Sequence, residues 1–178
     1  MWPPIADAKE TRVSGKTADK VSMVQRVQSE QSWWLGMLLR RPADLRSVPG
    51  RAVVTVMIAG GAVCAVASGV IHLYLWGKQY GYRDVPTIGP LFLIQGIAAI
   101  LVGLLVIANR RVAVLLVAAG LLVASVIALV LAVEVGLFGF KDSWLAPYAW
   151  TSFYEELAGG VLLLAASGVL CFSGRTGR

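Results

Sequence analysis

His72, Glu134, Glu155 and Glu156 are the ionisable residues that fall inside the apolar stretches of this chain, and Gln95 is the amide that falls nearest them. Three chemistries fit that set. A histidine with two carboxylates can hold a divalent metal. A His–Glu pair can relay protons or respond to pH. A polar pocket ringed by Tyr74, Trp76, Trp150 and Tyr154 could receive a quinone or a lipid headgroup. A plainer use is structural, a His–Glu hydrogen bond that locks helix ends. Glu155 and Glu156 are also expected to open a helix, where carboxylates oppose the dipole. The boundary depth expected for this layer favours that plainer use, and no metal, cofactor or catalytic residue is assigned. One histidine cannot supply both axial ligands of a haem within a monomer.

These residues are far apart in sequence, so only a shared level in a bundle can bring them together. His72, Glu134 and Glu155 stand 20 to 23 residues from an arginine at the opposite end of their own runs, Arg51, Arg111 and Arg175 respectively. At about 1.5 Å per helical residue, that is roughly 30–35 Å, close to one hydrocarbon thickness. The implied elements are four transmembrane helices over about 52–76, 88–108, 112–138 and 153–172. Residues 1–30 read as a flexible cytoplasmic tail. Residues 31–51 read as a basic amphipathic segment lying in the membrane interface, and 173–178 as a second tail. Ala65 to Ala67 resembles a leader cleavage site, but polar sequence precedes the run and apolar sequence continues past it, so an uncleaved span is expected.

Composition supports this reading. The 178-residue chain is 57% hydrophobic with a mean hydropathy of +0.72, more than a soluble domain of this size carries. Its net charge of +6 is concentrated before Ala52, where nine of the sixteen Lys and Arg lie. Beside a span, such a cluster sets orientation and contacts anionic lipids, so nucleic acid is not an expected partner. With the N-terminus inside, thirteen basic residues fall on cytoplasmic segments. Only Lys78, Arg83 and Lys141 fall outside. Both termini are therefore expected in the cytoplasm of a cell whose plasma membrane holds the protein. Cys64 and Cys171 differ too much in depth to pair and are read as packing residues.

Small residues in rows should let the helices approach closely. The first span offers Gly60, Cys64 and Ser68 leading to His72, beside Gly61, Ala65 and Gly69. The third offers Gly120, Ala124, Ala128, Ala132 and Gly136. The expected product is an all-α integral membrane four-helix bundle in which His72 points inward. No G-x-S-x-G, H-E-x-x-H or phosphate loop is present, and no enzymatic activity is expected.

The stretches from Gly69 through His72 and Tyr74 to Leu75 and from Ile88 to Gln95, with the pair Glu155–Glu156 in the last span, resemble the small four-span membrane proteins of actinobacteria, loosely DoxX-like. The resemblance covers residues 52–172 and implies the architecture rather than an activity. The expected role is a non-enzymatic accessory subunit that binds other membrane proteins or a second copy of itself. The alternative is a small transporter or a redox-linked or ligand-binding protein with a polar outer-face site at His72, Tyr74, Gln95, Glu134, Glu155 and Glu156. A pocket with His72 and a glutamate converging on it favours the alternative; a fully packed bundle favours the first.

Overall fold

In hydrocarbon nothing outside the chain can satisfy a backbone amide, and a helix is the element that satisfies its own within one segment. The computed structural model describes residues 50–78 and 82–173 and contains four such helices. They are α1 (Arg51–Gly77), α2 (Ile88–Ala108), α3 (Val112–Glu134) and α4 (Ala149–Ser173), each long and apolar enough to cross a bilayer. A 3-10 turn, Tyr82–Asp84, leads from α1 into α2. Among the described residues there is no strand; one isolated bridge pairs Leu137 with Phe140. The expected tail over 1–30, the interfacial segment apart from its last two residues, and Arg175 with the rest of the C-terminal tail lie outside the described residues.

The α1 and α2 bounds follow the apolar runs closely, and the other two do not. α3 ends at Glu134, four residues before the expected Phe138. Gly136 and Gly139 adopt φ of +95° and +79°, and Leu137 and Phe140 exchange backbone hydrogen bonds of 2.7 and 2.9 Å. The apolar residues after Glu134 therefore form a tight reversal rather than another helical turn. α4 begins at Ala149, four residues before the expected start. Glu155 and Glu156 consequently lie inside the helix, not in its first turn, and the dipole has no special hold on them.

α1 is the central helix, with α2 on one flank and α4 on the other; α3 packs on α4 and touches α2 less. Small residues make both flanks of α1 possible. A methyl on Gly69 would sit 2.6 Å from the Gly96 carbonyl oxygen of α2. One on Gly61 would sit 2.5 Å from Leu163 of α4. Gly60 approaches Leu162, Ala65 is buried, and Cys64 fills the hollow over Gly159. These α1 rows pack as the spacing indicates.

The third-span row does not. Gly120 has nothing within 4 Å of a would-be methyl, Ala124 is exposed, and Ala128 and Ala132 line a cavity instead of a helix contact. α3 meets α4 through Leu115, Ala118, Ala119 and Leu122, a face turned away from that row. Leu against Ala and Gly interlocks better than one small row against another, so the larger residues take the interface.

Two apolar clusters hold the bundle. The larger contains Ala62, Ala65, Val106, Leu115, Leu122 and Leu163 and fills the half toward the Asn109–Arg111 hairpin. The smaller, around Leu75, Tyr82 and Ile88, closes the opposite end, where the longer loops lie. Outward faces carry exposed Val56, Val63, Ile94, Leu101 and Val117. In water such a surface would drive association, whereas among lipid tails it is matched to its solvent.

Candidate functional site

Between the two apolar clusters lies a polar one, built on Glu156. Its side chain is wholly buried although it stands among apolar helices. Ser68 Oγ of α1 donates to Glu156 Oε1 at 2.6 Å, and Ser125 Oγ of α3 donates to the same oxygen at 2.8 Å. Both donors thus converge on one oxygen. The other, Oε2, is buried and has no hydrogen-bond partner.

His72 sits one turn beyond Ser68 on α1. Its Nδ1 lies 2.9 Å from the Ser68 carbonyl oxygen. A carbonyl can only accept, so Nδ1 carries the proton in this contact. The same nitrogen is 3.9 Å from Glu156 Oε1, beyond hydrogen-bond range but close enough to stabilise a carboxylate when the imidazole is charged. The ring packs against Phe92, with centroids 5.0 Å apart.

A cavity of about 280 Å³ opens beside this cluster, lined by all four helices and the loops that close them. α1 contributes His72, α2 contributes Phe92 and Gln95, α3 contributes Ser125 and Ala128, and α4 contributes Ser152 and Glu156. The lining is mainly apolar with a few polar groups, the usual character of a small-molecule pocket. Leu91 and Ala124 line it and are themselves exposed, so its side faces the surroundings between α2 and α3.

The loops close the far end. Tyr82 is buried, stacks on Phe92 with centroids 4.6 Å apart, and donates its hydroxyl to Asp142 at 3.1 Å. That bond joins the α1–α2 connection to the α3–α4 connection. Burial pushes the Tyr82 phenol above its ordinary range, and the negative charge and acceptor oxygens of Asp142 push the same way. Asp142 is held in turn by its backbone amide, which donates to the Ala132 carbonyl at 3.0 Å. Tyr148, whose φ of +64° is rare outside glycine, immediately precedes α4 and also lines the cavity.

Of the six residues expected to share a site, His72, Gln95 and Glu156 meet at the cavity. Glu134 does not: it is exposed and accepts a 3.0 Å hydrogen bond from the Trp144 indole. Glu155 is half-buried, lies off the cavity wall, and has one buried oxygen without a hydrogen-bond partner. Tyr74 is exposed and packs edge-on against Tyr148, 5.7 Å between centroids, rather than entering the cavity. Equal depth put His72 and the three glutamates at one level, but azimuth separates them. Adjacent residues point about 100° apart on a helix, so Glu155 and Glu156 cannot share a wall.

Sequence reasoning missed the two serine donors, Ser68 because it reads as a small packing residue and Ser125 because no spacing singles it out, and the loop pair Tyr82–Asp142. A hydroxyl in an otherwise aliphatic span is a signal that could have found Ser125, since serine there needs a partner. Among the described residues, no group of three or more His, Cys, Asp or Glu side chains is placed to hold a metal. Cys64 and Cys171 are unpaired thiols.

Fold and site together define a four-helix membrane bundle with a buried carboxylate beside a lateral cavity. Comparison of the chain with protein-family models, with curated proteins and with solved structures finds no match.

Proposed function

We propose that this protein binds a small, largely apolar molecule in the cavity beside Glu156, acting as a ligand-binding or transport protein of the plasma membrane with both termini in the cytoplasm. One observation carries the reading. The bundle is not packed throughout: a cavity of about 280 Å³ remains, and two of the residues that line it, Glu156 and Gln95, each hold a buried side-chain atom, Oε2 and the amide nitrogen, without a hydrogen-bond partner. Native interiors rarely leave such groups unmet, because each costs about 1–3 kcal/mol. The orientation rests on the thirteen-to-three bias of basic residues.

An accessory role would draw on the small-residue rows of α1, yet these are occupied by the chain's own α2 and α4. The ligand reading is therefore the better supported. It is tested with the full chain in lipid nanodiscs by thermal melting against 4-phenylbutan-1-ol. A molecule that binds the folded state alone raises the melting temperature with concentration. Ala128→Phe, which places a ring in the cavity, should abolish that rise. Equal rises in the parent and the variant would mean that the alcohol acts on the bilayer, and the reading would fail.

A further inference from the structure

We infer that the cavity selects a lipophilic cation: an ammonium group directed at Glu156 Oε2, carried on an apolar body that lies among Phe92, Phe140 and Tyr148. The inference rests on the ligand-binding reading and goes beyond it to the charge of the ligand.

Three observations converge on it. The first is the division of labour within the carboxylate. Both serine hydroxyls bond Oε1, while Oε2 is buried and unpartnered. A carboxylate oxygen only accepts, so what it lacks is a donor, and a charged donor most of all. His72 does not supply it. Its Nδ1 proton is directed to the Ser68 carbonyl, and its ion-pair approach is to Oε1.

The second is the sign of the charge around the cavity. Glu156 and Asp142 both line it, and among the described residues no lysine or arginine does. His72 is the one lining group that can become positive. Facing Glu156 from the packed helices are the neutral hydroxyls of Ser68 on α1 and Ser125 on α3 and the imidazole of His72; Gln95 on α2 lines the same cavity and is neutral, and Glu155 is the chain neighbour of Glu156 on α4. The low-dielectric surroundings strengthen this bias rather than screening it.

The third is the wall. Phe92, Phe140, Tyr82 and Tyr148 all line the cavity, and aromatic faces attract cations while tolerating an apolar body. An anionic headgroup or a free phosphate would meet two carboxylates and no basic side chain there. A neutral hydroxyl could also donate to Oε2, but a charged donor would do so more strongly.

The test uses three probes of one length: 4-phenylbutylammonium, 4-phenylbutan-1-ol and 4-phenylbutyrate. Each is titrated into the full-length protein in nanodiscs of zwitterionic lipid, with the melting shift as the readout. The ammonium should bind about tenfold or more tightly than the alcohol, and the carboxylate least, because a charge-assisted bond replaces an unmet acceptor. Glu156→Gln keeps a carbonyl for Ser68 and Ser125 to bond, and it should lose the preference for the ammonium while still binding the alcohol. Ala128→Phe should lose all three. If the ammonium and alcohol bind equally and both are blocked by Ala128→Phe, the cation inference is overturned and the ligand reading stands. If no probe is sensitive to Ala128→Phe, both fail. Should Glu156→Gln not fold, the order of the three probes on the parent protein decides alone, and a carboxylate that binds as well as the ammonium overturns the inference.

Discussion

Replacing Gly69 with alanine adds one methyl group at the closest point between α1 and α2. That methyl would lie 2.6 Å from the Gly96 carbonyl oxygen and 3.0 Å from the Ile100 amide nitrogen, where ordinary contact begins at 3.4 Å. The Ile100 side chain, also 2.6 Å away, could swing aside, but these two obstacles are backbone and cannot. The helices must separate by several tenths of an ångström, loosening Leu73 over Gly96 and Val66 over Gly103, which flank the crossing. Overpacking of this kind costs about 1–3 kcal/mol. Alanine's better helix propensity returns about 0.5–1 kcal/mol, leaving a net loss of up to about 2.5 kcal/mol. Gly120 is the internal control. It is also mid-helix, yet a methyl there meets nothing within 4 Å, so only the propensity gain of about 0.5–1 kcal/mol remains. Reversible unfolding of both variants in mixed micelles, followed by circular dichroism, should move the midpoints in opposite directions. Equal shifts would refute the packing argument, and so would Gly120→Ala proving the more harmful of the two.

Ser125→Ala should destabilise the fold by about 1–3 kcal/mol, because it removes one of two donors from a buried carboxylate, whereas Glu134→Gln should stay within about 0.5 kcal/mol at its exposed position. The same unfolding titration separates them, and a larger effect at Glu134 would reverse the assignment of the site. Tyr82 sets an alkaline limit. Its folded-state pKa is raised above the unfolded value of about 10, so its contribution is fully present below that pH and is lost as pH rises toward the folded value. Melting profiles of the parent should therefore fall more steeply above about pH 10 than those of Tyr82→Phe; parallel profiles would contradict a buried phenol. Reporter fusions after Arg178 and within residues 139–152 should fall on opposite sides of the membrane, and a shared side would rule out the four-span topology.

Much of this architecture is readable from the chain because the bilayer asks a coarse question: whether some twenty successive residues are apolar. Errors arose where apolar character and helix diverge. Leu137 and Phe138 are as greasy as any span, yet Gly136 turns the backbone before them. Ala149 and Trp150 belong to α4 although they follow a loop rich in aromatics. At the site, counting residues from an arginine gives depth, which His72 and Glu156 share. It says nothing of direction around the axis, and direction is what leaves Glu134 and Glu155 off the cavity that those two line. The Gly120 row failed for a related reason, since four-residue spacing marks a helix face without saying whether that face meets a helix, a cavity or lipid.

The bonds from Ser68 and Ser125 to Glu156 have a consequence for how the helices recognise one another. Between α1 and α4, apart from the approach of His72 to Glu156 and of Cys64 to Gly159, the other contacts described are aliphatic, and an aliphatic surface has little preference between a neighbouring helix and a lipid tail. Sliding α4 by a single residue along its neighbours would carry Glu156 about 1.5 Å in height and about 100° in azimuth. Many of the aliphatic contacts could be remade after such a slip. Two serine hydroxyls on two different helices could not follow one carboxylate. The buried glutamate thus acts as an index pin that admits one alignment of three helices, in a solvent where hydrophobicity discriminates poorly between right and wrong neighbours.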